Sequence, residues 1–254
     1  MMVRAIERAL SERCDVEIFR LRSFLETRSV LDFVEAFAQG FMGLLGGKPL
    51  ALQCLLYATA DRERLAAKIA NGGFQAVYLD TVRCQLLLRT LRRRLPDIRI
   101  VTDFDDLLSR RMTKLIEYDQ PFTAGIAGAF IPRFARRLIE GHLHRLVTRH
   151  EAATLRYAEE EAVAASNAIV LVSSTERREL LRSLNERHRT IVHALPPPAD
   201  IRAVTCEAPA SHRFIFIGSD RLLQNRLAID YLVALWRRLK PAATAPIREA
   251  VQRP

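Results

Sequence analysis

The sequence predicts an α/β fold in which helices flank a parallel sheet. Short apolar, β-branched runs at 75–79, 98–102, 167–172 and 213–218 alternate with amphipathic helical segments along most of the 254 residues. Strands separated by helices at this spacing predict βαβ crossovers, which place the strands parallel to one another. A stiff, proline-containing segment at 195–198 separates the last strand and helix from the others.

The first part of the chain supplies several of these elements. Residues 2–13 have an amphipathic helical pattern, 16–21 form a short β-rich run, and 30–45 have a helical pattern that stops at two consecutive glycines. A further helix is predicted from Asp61 as its N-cap, and a basic helix over 82–95, where a proline ends the pattern.

The middle of the chain predicts one long helix and one capped helix. Residues 133–165 are helical in pattern, with Leu146 on the predicted apolar face and Thr148 on the opposite face. Ser173 is followed three residues later by Glu176, which predicts a capping box at the start of the next helix.

These elements predict a division of the chain into unequal parts. We expect a first domain over 1–194, a connector over 195–212, the start of a second domain over 213–240, and a tail over 241–254. A second domain of this size cannot bury a core of its own.

Composition restricts the classes of partner. Lys and Arg number 39 against 29 Asp and Glu, a net charge of +10 that predicts attraction to nucleotide phosphates, nucleic acid or an acidic membrane surface. Nucleic acid is disfavoured because only 7% of residues are aromatic and no nucleic-acid motif is present. The scattered cysteines predict reduced, mostly buried thiols in a cytoplasmic protein. No apolar stretch approaches the ~20 residues that a membrane-spanning helix needs.

Candidate functional residues follow two of the predicted strands. Ligands of open parallel sheets bind at the carboxyl ends of the strands. Arg83 follows the first of these strands, and Asp103, Asp105, Asp106 and Ser109 follow the second. Two interpretations stay open for the acidic cluster. The carboxylates bind a cation, sugar hydroxyls or an arginine, or Asp106 or Ser109 caps the next helix while the others pair with Arg110 or Arg111.

The predicted strand in the second domain ends in Gly218 and Ser219, whose backbone amides could approach a phosphate, with Asn225 in the helix that follows. Taken alone, Gly218 and Ser219 are better explained as a plain tight turn. No metal site is predicted. His150 lacks the second histidine of a zinc-protease helix, and a lone Asp-x-Asp such as Asp103 to Asp105 is a weak metal signature.

Taken in order, these segments resemble glycosyltransferase family 4, whose members have the two-domain GT-B fold, and most closely the sugar transferases of bacterial exopolysaccharide systems. The resemblance covers most of residues 50–240 and is carried by residues 49–53, 78–83, 103–109, 151–174 and 213–225. It implies a Rossmann-like acceptor domain and the first βα unit of a second, donor-binding Rossmann-like domain.

The family resemblance also implies a function. We expect retaining transfer of a hexosyl group from a nucleotide-sugar to a glycan or lipid-linked acceptor, with no bound cofactor, because the nucleotide-sugar is a co-substrate, and no essential metal. Arg83 and the acidic residues with Ser109 would line the acceptor cleft, and Gly218, Ser219 and Asn225 would lie near the donor phosphates. This interpretation requires Arg83 and Asp103 to lie at the same edge of a parallel sheet.

The sequence departs from the family at both ends. The family opens with a strand and a glycine-rich loop, whereas this chain opens on the helix that follows them, and it ends before the family's donor-binding glutamates. We therefore expect the chain alone to be a weak or inactive transferase. The alternative is a non-catalytic binding or membrane-anchoring module derived from a glycosyltransferase, peripheral on the inner face of the membrane, which basic clusters at 92–94, 110–111 and 136–137 would favour.

Overall fold

The computed structural model of the chain describes residues 11–12, 14–22, 26, 29–54, 59–119, 141, 143–196 and 223–239. It divides into two compact units, Met1–Ala199 and Asp200–Pro254, with a border inside the segment predicted as a connector. The described helices and strands, in chain order, are α1 (Val30–Leu45), α2 (Thr59–Asn71), β1 (Ala76–Asp80), a short 3-10 helix (Val82–Cys84), α3 (Gln85–Arg94), β2 (Arg99–Asp105), α4 (Leu108–Glu117), α5 (His144–Ala165), β3 (Ala168–Leu171), α6 (Ser174–Ser183), α7 (Glu186–Arg189), β4 (Val192–Ala194) and α8 (Leu223–Leu239).

The four described strands form one parallel sheet in the order β1-β2-β3-β4. Helices connect each strand to the next, so every pairing is a crossover, as parallel strands require. The predicted α/β fold, a Rossmann-like parallel sheet with flanking helices, is confirmed. All of the described strands belong to the first unit, and α8 is the described part of the second.

The core of the first unit lies between the sheet and its helices. Ile100 and Phe104 on β2, Ile169 and Leu171 on β3, and Leu155 on α5 are each no more than 1% exposed. Strand β3 is apolar on both faces, while β2 is apolar mainly on the face that carries Ile100 and Phe104. Burial of this apolar surface is the main favourable term in folding. The sheet is therefore a rigid base for the side chains at its ends.

Strand β2 is longer than predicted. The sequence pattern ends the strand at Thr102 because aspartates are poor strand formers. In the structure, β2 continues to Asp105, since Asp103 pairs with Val170 and Asp105 with Leu171 of β3 across a local irregularity. Two of the predicted site residues are therefore part of the sheet.

The predicted buried face of the long helix is wrong. The described helix α5 starts at His144, and residues 133–140 of the predicted helix lie outside the described residues. Leu146 is 66% exposed, whereas Thr148 is 1% exposed and lies on the buried side together with Glu151 and Glu159. The prediction fails because the buried side of α5 carries polar groups that hydrogen-bond to neighbouring backbone.

Two predicted helix caps differ in outcome. Ser173 Oγ accepts a hydrogen bond from the Glu176 amide at 3.3 Å, as a capping box requires, but the Glu176 carboxylate hydrogen-bonds to the Leu107 backbone instead of closing the box. Asp61 is not an N-cap. It lies in the first turn of α2, and its carboxylate binds the guanidinium and amide of Arg22 at 2.8–2.9 Å.

Three other expectations have separate outcomes. Residues 15–22, which include the predicted β-rich run, are irregular, and Phe19 and Leu21 from this run pack against the core. The predicted helix in the second unit is confirmed as α8. Residues 2–10 of the helix predicted over 2–13, and the predicted strand at 213–218, lie outside the described residues.

Helix α1 has a largely exposed apolar side. Among its 16 residues only Ala36 is buried in the described part, while eight large apolar side chains are more than half exposed: Val30, Leu31, Val34, Phe37, Phe41, Met42, Leu44 and Leu45. A continuous apolar surface of this kind marks an interaction site more often than chance exposure does. No helix within the described residues combines the length and apolarity needed to cross a bilayer.

Candidate functional site at the carboxyl edge of the sheet

Strands β1 and β2 end side by side at the carboxyl edge of the sheet. Asp80, the last residue of β1, is the direct register partner of Asp103 on β2. Tyr78 precedes Asp80 by two residues and therefore lies on the same face of β1. We refer to the side chains of Tyr78, Asp80, Arg83, Asp103 and Asp105 as the rim. Arg83 and Asp103 thus lie at the same edge of a parallel sheet, which the carbohydrate interpretation requires.

Asp103 is the internal anchor of the rim. It is 4% exposed, and its two carboxylate oxygens are both occupied: Oδ2 accepts a hydrogen bond from the Tyr78 hydroxyl, and Oδ1 accepts one from the Asp105 amide at 2.8 Å. Burial, followed by the hydrogen bond to Asp103, raises the pKa of Tyr78 well above its ordinary value. Tyr78 therefore stays a hydrogen-bond donor at physiological pH, and Asp103 holds the rim together from within.

The ligand-facing carboxylates of the rim are Asp80 and Asp105, which are both exposed. Burial raises the pKa of Asp80, as does the neighbouring charge of Asp103, while Arg83 opposes the shift. Partial burial also raises the pKa of Asp105, with Asp106 and Asp103 as the next causes. Crowded acidic groups of this kind favour a ligand that donates hydrogen bonds or carries positive charge.

Arg83 supplies the positive charge of the rim. It lies in the 3-10 helix directly after β1 and is half-buried. Its Nε donates to Gln53 Oε1 at 2.7 Å, and its Nη1 lies 3.5 Å from Thr81 Oγ1, at the outer limit of a hydrogen bond. The guanidinium is thus held at one end while further N–H groups remain for a ligand.

The backbone of the rim adopts sparsely populated conformations. Thr81 has φ 83° and Asp105 has φ 59°, in the left-handed region that β-branched residues in particular rarely enter. The Thr81 amide donates to the Asp103 carbonyl at 2.8 Å, which secures the turn after β1 to the end of β2. Strained backbone held by its surroundings is typical of functional sites.

Two predicted site residues are engaged elsewhere. Asp106 forms an ion pair with Arg111. The Ser109 amide and hydroxyl both donate to Glu159 on α5, at 2.9 and 2.5 Å. The predicted pairing of an aspartate with a neighbouring arginine is therefore confirmed for Asp106. The predicted cap is wrong, because the N-cap residue of α4 is Leu107 and it is Glu159, from another helix, that accepts from the Ser109 amide. Its burial raises the pKa of Glu159 to about 7, although the bonds from Ser109 oppose the shift.

Sequence reasoning missed four residues that build or support the rim, and a fifth, Glu159, that binds Ser109. Tyr78 and Asp80 could have been found from the two-residue spacing that places them on one face of β1. Gln53, Glu151 and Glu159 act through contacts with distant segments, for which one sequence has no signal. The spacing of Glu151 with the buried Leu155 does place it on the buried side of α5.

The predicted donor-phosphate residues belong to the second unit. Gly218 and Ser219 lie outside the described residues, and Asn225 is the third residue of α8. In the part of the chain that the structure describes, no group of three or more His, Cys, Asp or Glu side chains is arranged to hold a metal ion.

Comparisons with protein-family models, with curated proteins and with solved structures found no match to this chain.

Proposed function

We propose that the rim binds the hydroxyl groups of a carbohydrate acceptor, and that the chain is the acceptor-side part of a hexosyltransferase that uses a nucleotide-sugar and retains the anomeric configuration. The single observation that carries this proposal is the placement of two exposed carboxylates, Asp80 and Asp105, and of Arg83 at the adjoining carboxyl ends of β1 and β2.

The chemistry of the rim suits a polyhydroxylated ligand. An ionised carboxylate only accepts hydrogen bonds and a guanidinium only donates them, whereas a hydroxyl group does both. A sugar can therefore donate to Asp80 or Asp105 and accept from Arg83 through adjacent hydroxyls. Tyr78 is 38% exposed and offers part of its ring to the apolar C–H surface of a sugar.

The transferase part of the proposal rests on the family resemblance. By that resemblance the donor phosphates belong with Gly218, Ser219 and Asn225, the protein works in exopolysaccharide biosynthesis on the cytoplasmic side, and the co-substrate replaces any bound cofactor. A transfer assay with radiolabelled nucleotide-sugars and the bound glycan tests this part directly. Absence of transfer with a glycan that binds would limit the chain to acceptor binding.

Acceptor binding is tested with the full chain on an array of neutral and acidic oligosaccharides, followed by calorimetric titration of each retained glycan. We expect neutral glycans to be retained. Arg83→Ala and Asp80→Asn should each weaken binding by about tenfold or more, since a lost charged hydrogen bond costs about 1.5–3 kcal/mol.

Matched controls for these variants lie at the amino edge of the same sheet. Arg99 and Asp97 are exposed there, next to the start of β2. Arg99→Ala and Asp97→Asn make the same chemical changes away from the rim and should leave affinity unchanged. Retention of no glycan, or equal losses in the rim and control variants, would overturn the proposal.

A second candidate function is a module that binds an anionic membrane surface through α1. The observation that favours it is the exposed apolar side of α1, described above, on a protein with a net charge of +10. An apolar helix face can enter the interfacial region of a bilayer while the basic protein is attracted to anionic headgroups.

Co-sedimentation with phosphatidylglycerol vesicles tests this candidate, with phosphatidylcholine vesicles as the uncharged comparison. Phe37→Glu, on the exposed side of α1, should abolish pelleting. Leu146→Glu is the matched control, because Leu146 is similarly exposed but lies on α5. Equal pelleting of both variants would rule out α1 as the membrane contact.

A further inference from the structure

Glu151 is a carboxylate in the interior of the first unit. It lies on α5, is 0% exposed, and its burial raises its pKa. Oε2 accepts a hydrogen bond from the Leu52 amide at 2.9 Å and Oε1 accepts one from the Gln53 amide at 3.0 Å. Removing a carboxylate from water is costly unless its hydrogen bonds are replaced, and here two backbone amides replace them. Glu151 therefore fixes the short turn that contains Gln53.

The same contact continues through the side chain of Gln53. The Oε1 atom of Gln53 accepts a hydrogen bond from Arg83 Nε at 2.7 Å. A guanidinium can only donate, so the oxygen of the Gln53 amide faces Arg83. By binding the backbone amides of Leu52 and Gln53, Glu151 fixes the position from which the Gln53 side chain reaches the arginine.

We propose that Glu151 and Gln53 are positioning residues that set the orientation of Arg83 at the rim, so that the guanidinium is ordered before a glycan binds. This inference rests on the proposed acceptor-binding function. Arginine has a long side chain with much rotational freedom, and binding is weakened when that freedom has to be lost on association. Within the described residues, the only other hydrogen bond of the Arg83 side chain, to Thr81 Oγ1, is long at 3.5 Å. Gln53 is therefore the principal restraint on Arg83 within the described residues.

The test combines two variants with a measurement that needs no ligand. Gln53→Met keeps the length of the side chain but removes the acceptor for Arg83, and Glu151→Gln removes the charge that binds the backbone amides of Leu52 and Gln53. In ¹⁵N NMR spectra, the Nε–H signal of Arg83, assigned from its loss in Arg83→Ala, should exchange with water at least about tenfold faster in both variants. Gln53→Met keeps the test decisive if Glu151→Gln fails to fold.

A matched control is available on the same helix. Gln85 Nε2 donates to Glu161 Oε2 at 2.6 Å. This second glutamine–glutamate pair involves α5, but in the part of the chain that the structure describes neither residue hydrogen-bonds to Arg83. Gln85→Met and Glu161→Gln should leave the exchange of the Arg83 Nε–H unchanged. Equal acceleration in the control pair would show a general loosening of the core and overturn the inference.

A double-mutant cycle separates positioning from a purely structural role. In calorimetric titrations with the array glycan that binds most tightly, Gln53→Met should lower affinity by about three- to tenfold in the wild-type background and have no further effect in Arg83→Ala. Additive effects, or unchanged exchange of the Arg83 Nε–H, would overturn the inference. If Arg83→Ala binds glycan normally, the proposed function fails instead, and the exchange rates still decide whether Glu151 and Gln53 order Arg83.

Discussion

Replacing Glu159 by glutamine should make the protein more stable at alkaline pH. The Glu159 carboxylate lies beneath the start of α4, is 3% exposed, and accepts from the amide and hydroxyl of Ser109. Asp106 lies close enough to raise its pKa further, and Arg156 opposes this. Glutamine has the same length and can keep both contacts to Ser109, by accepting from the amide and donating to the hydroxyl.

The magnitude follows from the pKa of Glu159, which burial raises from 4.5 to about 7. Between these two values the folded state binds more protons than the unfolded state, so the free energy of unfolding falls as pH rises. This loss of unfolding free energy is complete above pH 7 and absent below pH 4.5. Its full size, set by the difference between the two pKa values, is about 3 kcal/mol. Glutamine carries no charge and avoids this loss, but its hydrogen bonds to Ser109 are weaker than those of a carboxylate. We therefore expect Glu159→Gln to raise the free energy of unfolding at pH 8 by about 1–3 kcal/mol relative to the wild-type protein.

Urea denaturation followed by circular dichroism at 222 nm, at pH 5, 6, 7 and 8, measures this effect. Fluorescence is less suitable because the single tryptophan, Trp236, belongs to the second unit. At pH 5 the variant should match the wild-type protein within about 1 kcal/mol. The control Glu160→Gln, at an exposed position on the same helix, should keep the wild-type pH dependence. The reasoning is refuted if the stability difference between Glu159→Gln and wild type does not grow from pH 5 to pH 8.

Three further outcomes are expected. Phe104→Ala should lower the free energy of unfolding by about 3–5 kcal/mol in urea titrations, because Phe104 is 1% exposed at the centre of the sheet. Arg92→Met should lower the free energy of unfolding by about 2–3 kcal/mol, because Arg92 donates to three backbone carbonyls at once. Arg92→Lys should be destabilising as well, because an ammonium group cannot reproduce the geometry of the guanidinium. In a Cys206→Ser background, a thiol reagent should modify the exposed Cys14 in the native protein. It should modify Cys54 and Cys84 only after unfolding, because burial raises the pKa of both thiols.

Each of these outcomes has a result that would contradict it. A small effect of Phe104→Ala would mean that the core collapses around the cavity. Arg93, next in sequence, is 70% exposed. If Arg93→Met lowers the free energy of unfolding as much as Arg92→Met does, the carbonyl contacts of Arg92 do not stabilise the protein. Modification of Cys54 or Cys84 in the native protein at the rate of Cys14 would contradict their burial.

The fold could be predicted because its signals are local in the sequence. Paired glycines end α1 and α2, a proline follows α3, and apolar runs mark the strands β1, β2 and β3. The length of β2 could not be predicted, since Asp103 and Asp105 belong to a strand only through their pairing with β3. The buried side of α5 was missed for a related reason, because hydrophobicity does not identify a helix face that buries Glu151 and Glu159.

The candidate site could be predicted only in part. Arg83, Asp103 and Asp105 lie together at the rim because parallel strands bring their carboxyl ends to one edge, a rule that needs no knowledge of distant contacts. Asp106 and Ser109 differ because their partners decide their roles. Arg111 lies five residues beyond Asp106, and the sequence does not decide whether Asp106 pairs with it, caps the helix or binds a ligand. Glu159, which binds Ser109, comes from a helix far along the chain.

The parallel sheet has a consequence for how the protein is made. Strand β2 can pair with β3 only after the chain from Asp105 to Ala168 has been synthesised, and β3 can pair with β4 only after a further stretch of chain has followed. At ordinary translation rates this leaves one side of β2 without its neighbour for roughly 3–12 s. Long-range parallel pairing is also slow once the strands are present. We therefore expect the nascent chain, in which the backbone N–H and C=O groups along one side of β2 are still unpaired, to be the stage most prone to aggregation.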